Sequence, residues 1–555
     1  MTDFADLVIT GADVWTADAA RSWTDAVAVR GDRIVALGAE QVAELVGPGT
    51  RVEHRPGSMV VPGFQDAHLH PTFAGRNLMH VWLNDLEGRQ AYLDQIAGYA
   101  AENPDEPWII GGGWAMEYFP GGTPHKEDLD AIVPDRPVFL MNRDVHSAWA
   151  NSKALEIGGI ARDTPDPSDG RIERDPQTGE PTGALHEGAA YSYQDRYLPA
   201  PTRADWERAI LTAQAHLHSL GITGWQDAWV TPHTLDAYRC LAESGALTAR
   251  VVGALWWDRH RELEQISEFL TQRESGATHG VRAPGSQTAG FHPTTVKIMT
   301  DGVLENYTGA LRQPYCDGCG GHTDNYGLSY VDRDLLAAAL TELDWHGFQV
   351  HMHAIGDRAV RNALDAVQAA RSTNGSNDNR HHIAHIQVIQ PEDVPRFREL
   401  GVVANAQPYW AQMEPQMEEL TLPFLGRDRA QLQYPFGDLL RSGATLAMGS
   451  DWSVTTANPL EEIEVAVTRV DPENRDNAPF LPEQALPLQV ALAAFTAGSA
   501  HVNHDEDGGS LIVGKRADFA VLDRNLFAVP RGHVADARVD LTVANGRVVH
   551  DRDGG

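Results

Sequence analysis

Two histidines separated by one residue give the first indication of chemistry in this chain. His68 and His70 follow the apolar run VVPGFQDA, which is typical of a β-strand. Because residues i and i+2 of a strand point to the same face, both imidazoles would project together. Such a pair suits a borderline cation such as Zn2+. A lone His-x-His pair is more often incidental than metal-binding, so the interpretation needs support from elsewhere in the chain.

Four further residues of this kind lie at or near the ends of separate apolar segments. His353 lies in QVHMHA, His385 ends IAH, and Asp451 follows LAMGS. Lys297 lies among apolar residues in TTVKIM, where an ammonium group is costly unless it is neutralised, paired or modified. Each has an ordinary alternative, such as a structural histidine or a turn aspartate. Their occurrence in order on separate predicted strands favours one common site, with His351 one layer deeper as a packing or supporting residue.

The middle of the chain repeats a unit of amphipathic helix, glycine and short apolar strand. The glycines that end these helices are Gly221, Gly347, Gly401 and Gly443. Repeated units of this kind predict parallel strands joined by helical crossovers. The residues six positions after these glycines, which reach the C-terminal strand ends, are Asp227, His353, Gln407 and Gly449. Active sites occupy that end of a (β/α)8 barrel, so the α/β fold predicted here is a TIM barrel.

The two ends of the chain have a different pattern from the middle. Short alternating strands with tight turns occur at both ends, including an Asn-Gly hairpin turn at Asn545. We therefore predict a small β-sandwich domain built from residues 1–61 and 501–555, with the barrel over 62–500. The long stretch at about 76–200 is too extensive for a loop and predicts a subdomain inserted over the barrel mouth.

Composition limits the classes of partner. The 77 acidic and 44 basic residues give a net charge of −33, which argues against nucleic acid and anionic membranes. Three cysteines cannot form a disulfide framework in 555 residues, so we expect a reducing, cytoplasmic location. No secretory signal and no run of 18 apolar residues is visible, and no membrane association is expected. A small-molecule substrate is the expected partner, and homo-oligomerisation is left open.

Several motifs together resemble one enzyme family over most of the chain, from about residue 8 to 548. They are PGFQDAHLHP, RDVHSAWANSKAL, PTGALHEGA, VKIMTDGVLENYTGAL, HMHAIGDRAV, IAHIQ, GSDWSV and GSLIVGKRADFAVLD. This set is similar to the amidohydrolase superfamily, and more narrowly to its family 3 branch, which includes N-substituted formamide deformylases. The motifs are specific to the family and not to a substrate.

The resemblance implies a metal centre with one or two Zn2+ ions, or another divalent metal. The ligands it implies are His68, His70, Lys297, His353, His385 and Asp451. The first two histidines would bind the more buried ion together with Asp451. Lys297, if its amine is carboxylated, would bridge two ions, and the remaining two histidines would bind the second. Without carboxylation a single ion is expected, and His353 or His385 could replace the lysine.

The implied activity is metal-assisted hydrolysis of a C–N amide bond in an N-substituted formamide or another N-acyl amine. Asp451 would be the catalytic general base and would pass its proton to the leaving nitrogen. A cyclic-amide hydrolase or a deaminase on the same scaffold is the alternative. A non-enzymatic binding protein is disfavoured because no ligand position of the motifs is missing.

Substrate contacts are expected from the inserted subdomain and from the loops after the strands. The candidate substrate-binding residues are Trp114, His146, Asn306 and Tyr307. Core packing is an equal alternative for the first and last of these. Three further tryptophans that follow barrel strands could form an aromatic pocket: Trp256, Trp257 and Trp410. Cys316 and Cys319, with His322 nearby, could form a zinc knuckle, but only one cysteine pair exists and an exposed loop is favoured.

Overall fold

The computed structural model describes residues 4–276, 278–279 and 290–554. Its strands are β1 (Leu7–Trp15), β2 (Trp23–Arg30), β3 (Arg33–Leu37), β4 (Arg51–His54), β5 (Met59–Pro62), β6 (Phe64–Leu69), β7 (Val81–Trp82), β8 (Ile109–Trp114), β9 (Val138–Asn142), β10 (Ser147–Ala150), β11 (Gly170–Arg174), β12 (Pro181–Glu187), β13 (Ile222–Val230), β14 (Arg250–Trp256), β15 (Thr278–His279), β16 (Gly290–Met299), β17 (Gln349–Ala354), β18 (His382–His385), β19 (Val403–Ala406), β20 (Leu446–Met448), β21 (Phe519–Leu522), β22 (Val539–Ala544) and β23 (Arg547–Asp551).

The α-helices are α1 (Ala39–Ala43), α2 (Pro71–Leu78), α3 (Arg89–Glu102), α4 (Lys126–Ile132), α5 (Ser152–Ile157), α6 (Gly188–Tyr197), α7 (Arg203–Ser219), α8 (Pro232–Ser244), α9 (Ile266–Gly276), α10 (Arg333–Trp345), α11 (Asp357–Asn374), α12 (Val394–Leu400), α13 (Leu422–Leu425), α14 (Arg427–Ala430), α15 (Phe436–Ser442), α16 (Pro459–Thr468), α17 (Leu488–Ala493) and α18 (Ser499–Val502).

Eight parallel strands form the predicted barrel, which is confirmed. Their order is β6, β13, β14, β16, β17, β18, β19 and β20. The two outer strands meet through the backbone that follows β20, where the Asp451 N–H donates to the His68 carbonyl at 2.7 Å. The His70 N–H in turn donates to the Trp452 carbonyl at 2.6 Å. These bonds nearly close the barrel at its C-terminal end, the end that carries the site in this architecture.

The glycines predicted to end helices explain how the strands keep a common register. Gly221, Gly347, Gly401 and Gly443 have φ values of 81°, 73°, 66° and 83°. This left-handed conformation strains any residue with a side chain, so glycine ends the helix at a fixed position. Each following strand therefore begins at a fixed distance from its helix, and its polar end residue reaches the same edge.

A six-stranded sheet lies between β6 and the rest of the barrel in sequence. Its order is β11, β12, β10, β9, β8 and β7. An apolar cluster that includes Trp114, Phe119, Leu140 and Trp149 fills one side of it. The loop between β9 and β10 leaves this sheet and contributes Asp144 to the cavity described below.

Strands from both chain ends are hydrogen-bonded into one eight-stranded sheet. Its order is β23, β22, β21, β5, β1, β2 and β3, with β4 paired to β1. The central contact is antiparallel pairing of β5 with β21, in which Met59 faces Leu522 and Pro62 faces Phe519. Residues from both ends share one apolar core. Among the described residues, no helix is both long and apolar enough to cross a membrane.

Candidate active site

Three strand ends bring histidine and aspartate side chains together at the barrel mouth. His68 Nε2 lies 3.1 Å and His70 Nε2 3.2 Å from the same oxygen, Oδ1 of Asp451. His385 Nδ1 lies 3.8 Å from the other oxygen, Oδ2. His68, His385 and Asp451 each place a ligand atom within 4.8 Å of the other two, and no other such group occurs among the described residues. All are buried.

Two of these side chains sit on strained backbone. His385 and Asp451 have φ values of 73° and 60°, in the left-handed region that non-glycine residues rarely adopt. Such a conformation costs about 1–3 kcal/mol and persists only where the surroundings hold it. The His385 N–H donates to Gln407 Oε1 at 2.6 Å, and Gly449 packs so closely that a Cβ would lie 2.4 Å from the His68 nitrogen. The hydrogen bond holds His385 in this conformation, and the close packing of Gly449 holds the backbone of His68.

A chain of hydrogen bonds below the site determines which nitrogen of His68 carries the proton. Gln349 Nε2 donates to the backbone carbonyls of Arg380 and Val502, which can only accept. The other amide atom of Gln349, Oε1, therefore points towards Gln226. That oxygen accepts from Gln226 Nε2 at 3.1 Å. Gln226 Oε1 must then accept, and it faces His351 Nδ1 at 2.7 Å. His351 therefore carries its proton on Nδ1.

The same reasoning extends to His68. His351 Nε2 has no proton and lies 2.7 Å from His68 Nδ1, so His68 donates from Nδ1. Its Nε2 is left with a free lone pair directed at Asp451. Burial lowers the pKa of both His68 and His385 well below the usual value, so both rings are neutral. Neutral imidazole is the form that binds metals.

This donor set fits a divalent metal ion. A free lone pair on His68 and a carboxylate oxygen of Asp451 would repel each other at 3.1 Å unless a cation lies between them. Neither atom has a hydrogen-bond partner, although both are buried. Burial opposes ionisation of Asp451, but the neighbouring His70 and His385 outweigh it and lower the pKa of that carboxyl. Two nitrogens and one oxygen are ligands that suit zinc and similar ions.

The two remaining predicted ligands lie in the same cavity but outside this close group. His353 Nε2 lies 3.2 Å from the Gly302 carbonyl, and its ring centroid is 4.6 Å from that of His385. Lys297 lines the cavity and is buried. Burial lowers the pKa of the Lys297 amine to about 7. A neutral amine is the form that reacts with CO2, so this position is compatible with the carboxylated and with the free lysine.

The site forms the floor of a cavity at the barrel mouth. Aromatic rings dominate its walls, with Trp229 stacked on Trp256 at a centroid distance of 4.3 Å. Further lining residues include Tyr191, Trp410 and Tyr434. Aromatic and apolar walls that surround converging polar groups are typical of small-molecule sites. Of the predicted aromatic set, Trp257 does not line the cavity and packs in the barrel core instead.

Among the predicted substrate-binding residues, only His146 lines the cavity. Its Nδ1 lies 2.9 Å from Glu187 Oε2. Burial alone would lower the pKa of His146, but the Glu187 carboxylate outweighs burial and raises it. The His146 ring lies beside that of His353, with a centroid distance of 5.7 Å.

The other three predicted substrate-binding residues are placed differently. Trp114 is fully buried in the inserted sheet, and its indole N–H donates to the Leu140 carbonyl. Tyr307 packs with Tyr315 and Phe424 in a separate apolar cluster. Asn306 is buried and donates towards Ser147 Oγ, 3.3 Å away. None of the three lines the cavity, and Trp114 and Tyr307 pack in apolar clusters instead.

Sequence reasoning missed several cavity residues. Arg259 lies over the Tyr330 ring and 2.7 Å from Asp169, while Tyr191 OH is 3.4 Å from His146 Nδ1. Asp144 and Glu305 also line the wall. The signal for Asp144 was available, since it lies two residues before His146 in the RDVH motif. Loop residues such as Arg259 carry no periodic pattern that could reveal them.

The cysteine loop shows no metal-binding group. Cys316 Sγ lies 3.9 Å from His322 Nδ1, and Cys319 is exposed. These residues are described by the structure and do not meet as a cluster of three ligands. All three cysteines of the chain are free.

Comparison with known proteins points to the same chemistry. Residues 56–550 match the model of a family described as the amidohydrolase family. The protein LONG AFTER FAR-RED 3 of Arabidopsis thaliana is 30% identical over 537 residues, covering 94% of this chain and 88% of that protein. The N-substituted formamide deformylase of Arthrobacter pascens is 28% identical and covers 100% of both chains. An uncharacterised metal-dependent hydrolase from Pyrococcus horikoshii has 25% identity and a TM-score of 0.72, covering 95% of this chain and 99% of that one.

Proposed function

Because the chain belongs to the amidohydrolase family, we propose that this hydrolase cleaves a C–N amide bond of a small molecule with the help of a divalent metal ion. The observation that carries the proposal is the meeting of the His68 lone pair with the Asp451 carboxylate at the floor of an aromatic cavity. A buried lone pair and a buried carboxylate oxygen repel each other unless a cation lies between the two atoms.

The proposed ligands divide into a close group and a wider group. His68, His70 and Asp451 would hold the more buried ion, and His385 lies within reach of the same carboxylate. His353 and Lys297 would help to bind a second ion if Lys297 is carboxylated. Zinc is the proposed metal, since nitrogen and carboxylate donors suit it. When bound, the metal would lower the pKa of water towards ~7 and polarise the substrate carbonyl.

The chain's own residues supply the proton transfers and the positioning. The Asp451 carboxylate would accept the proton of the attacking water and return it to the leaving nitrogen. His146, which is held by its contact with Glu187 Oε2, would contact the substrate oxygen. The walls formed by Trp229, Trp256 and Trp410 would exclude bulk water and accept the organic part of the substrate.

An N-formyl or other N-acyl amine is the substrate class we propose. The support is the full-length similarity to an N-substituted formamide deformylase at 28% identity. The aromatic lining of the cavity adds support for an amine with an apolar or aromatic substituent.

The test combines metal analysis with a substrate panel. We expect about one or two metal ions per chain after gentle purification, loss of turnover on chelation, and recovery with Zn2+ or another divalent ion. The panel contains N-formylbenzylamine, N-acetylbenzylamine, dihydrouracil and cytosine. Turnover of the N-acyl amines alone supports the proposal. Turnover of only the cyclic compounds would assign the other C–N chemistry, and fewer than ~0.3 ions per chain without any turnover would contradict a metal-dependent enzyme.

A further inference from the structure

One buried carboxylate in the cavity wall has no partner. Asp144 is 5% exposed, and neither of its side-chain oxygens has a hydrogen-bond partner among the residues that the structure describes. Its neighbour Arg143 lies 3.2 Å from Glu117 and over the Trp410 ring, and it forms no salt bridge with Asp144. An unpaired buried carboxyl is costly for a folded protein unless a ligand completes it.

The backbone holds this carboxyl in position. Asp144 lies in the loop that joins β9 to β10, directly before Val145, whose φ is 58°. A β-branched residue in that region is strained, and the strain lets both Asp144 and His146 line the same cavity. His146 has its partner in Glu187, whereas Asp144 does not.

A second acidic residue and several aromatic rings lie in the same cavity wall. Glu305 lines the cavity, and the one side-chain hydrogen bond that it accepts comes from Thr421. The cationic Arg259 lies 5.7 Å from the centre of the Tyr191 ring and is already paired with Asp169 at 2.7 Å. Neither Asp144 nor Glu305 forms a salt bridge with a described residue, and the cavity wall also carries the rings of Tyr191 and Trp410. Carboxylates and aromatic faces are the groups that bind organic cations.

We propose that Asp144, assisted by Glu305, binds a cationic nitrogen of the substrate. The natural substrate is then an N-acyl compound that also carries a protonated amine or a quaternary ammonium group. This substrate class rests on the proposed amide hydrolysis, whereas the cation subsite itself does not. The ligand's charge supplies the partner that Asp144 lacks in the free protein.

A binding experiment tests the subsite without catalysis. Phenyltrimethylammonium, which cannot coordinate a metal, is compared with its uncharged isostere tert-butylbenzene by tryptophan fluorescence on the metal-loaded protein. We expect the wild type to prefer the cation by about 10-fold or more, and Asp144→Asn to abolish that preference. Glu305→Gln should reduce the preference less, because Thr421 already contacts that carboxyl. Glu419→Gln, which removes an exposed acid, is the control and should leave it unchanged.

Two measurements separate the subsite from the reaction. The N-formyl derivatives of para-(aminomethyl)benzylamine and para-ethylbenzylamine differ only in charge, and we expect about a 10-fold preference in kcat/KM for the first that Asp144→Asn removes. If phenyltrimethylammonium binds but neither N-formyl compound is hydrolysed, the cation subsite is supported and the proposed reaction is refuted. If the wild type shows no preference for the cation, or Asp144→Asn retains it, the subsite is refuted whatever the activity. Thermal melting should show Asp144→Asn at least as stable as wild type, whereas a purely structural carboxylate would lose stability.

Discussion

At the scale of single residues, the site depends on protonation states that the fold imposes. His68 is neutral with its lone pair on Nε2, and Asp451 is ionised although it is buried. Both states are unfavourable side by side without a cation, so the folded chain is prepared for a metal before one binds. The strained φ of Asp451 indicates that this arrangement is maintained at the expense of local stability.

Replacing Asp451 should separate folding from catalysis. In Asp451→Asn the side chain keeps its shape but can no longer accept a proton, so we expect turnover to fall by about 10^3-fold. Thermal melting should change little, because the neutral amide relieves the burial of a charge. Asp428→Asn makes the same chemical change at an exposed position and should retain full activity. Near-wild-type turnover in Asp451→Asn would exclude Asp451 as the general base.

At the scale of elements, parallel strand register aligns the polar residues that support the site. His351 of β17 pairs with His382 of β18, and both rings face the same oxygen of Gln226 from β13. Backbone carbonyls at the base of the barrel thus determine the direction of each hydrogen bond in the chain and, at its end, the tautomer of His68. Partners of this kind commonly set the tautomer and direction of a metal-binding histidine.

Removing the central amide of this chain should weaken metal binding. Gln226→Leu leaves His351 without the acceptor that fixes its tautomer, so His68 can lose its preferred protonation. We expect metal affinity, measured by competition with a chromophoric chelator, to fall by about 10- to 100-fold. Gln214→Leu is the matched control, since it removes a buried amide that bonds Ala246 and Thr248 on the outside of the barrel. Equal metal affinity in both variants would contradict the role of Gln226.

A second cluster joins helix ends behind the barrel and predicts a pH dependence of stability. Asp344 near the end of α10 accepts hydrogen bonds from His381 and from Asn374, Asn377 and Asn379. Burial opposes ionisation of Asp344, but these bonds outweigh it and hold its pKa well below the usual range. A depressed pKa stabilises the fold above the unfolded pKa of about 4, and this stabilisation is lost as the pH falls further.

Asp344→Asn should therefore cost stability in a pH-dependent way. At pH 7 the amide loses the charge and presents an N–H to donors, so we expect a loss of about 2 kcal/mol. The difference in melting temperature between wild type and variant should be constant from neutral pH down to about pH 4 and should shrink below it. A difference that stays the same at lower pH would show that the carboxylate is not ionised in the folded state.

At the scale of the whole molecule, a buried ion network joins the terminal segments to the base of the barrel. Arg516 is 1% exposed and contacts Asp505 and Asp518, while Asp505 also accepts from Gln65 of β6. Arg250 of β14 lies 3.8 Å from Asp505. The network lies at the opposite end of the strands from the metal-site residues, so it affects stability without touching the reaction.

Disrupting this ion network should lower the free energy of unfolding and leave the candidate active site unchanged. Asp505→Asn removes one of the two counter-charges of a buried arginine, which we expect to cost about 3 kcal/mol of unfolding free energy. Metal affinity should not change. Asp236→Asn, at a half-exposed pair with Arg239, should cost less than about 1 kcal/mol. Comparable losses of unfolding free energy in the two variants would show that the Asp505 network stabilises the fold no more than an exposed ion pair does.

How much the sequence determined can be seen at particular positions. The stop glycines and the apolar runs predict the barrel, because helix ends and strand periodicity are set by local backbone preferences. The same local rules place His68 and His385 at strand ends, and parallel strand ends necessarily meet at one edge of a barrel. Fold class and family membership followed from such short segments, and comparison confirmed both.

The tertiary structure alone decided which side chains face the cavity and how they are protonated. Trp114 follows an apolar strand as plausibly as Trp256 does, yet the first packs inside its own sheet and the second lines the cavity. The proton on His68 is fixed by carbonyls more than 280 positions away along the chain. Side-chain direction and hydrogen-bond polarity depend on contacts between distant segments, so no local pattern could supply them.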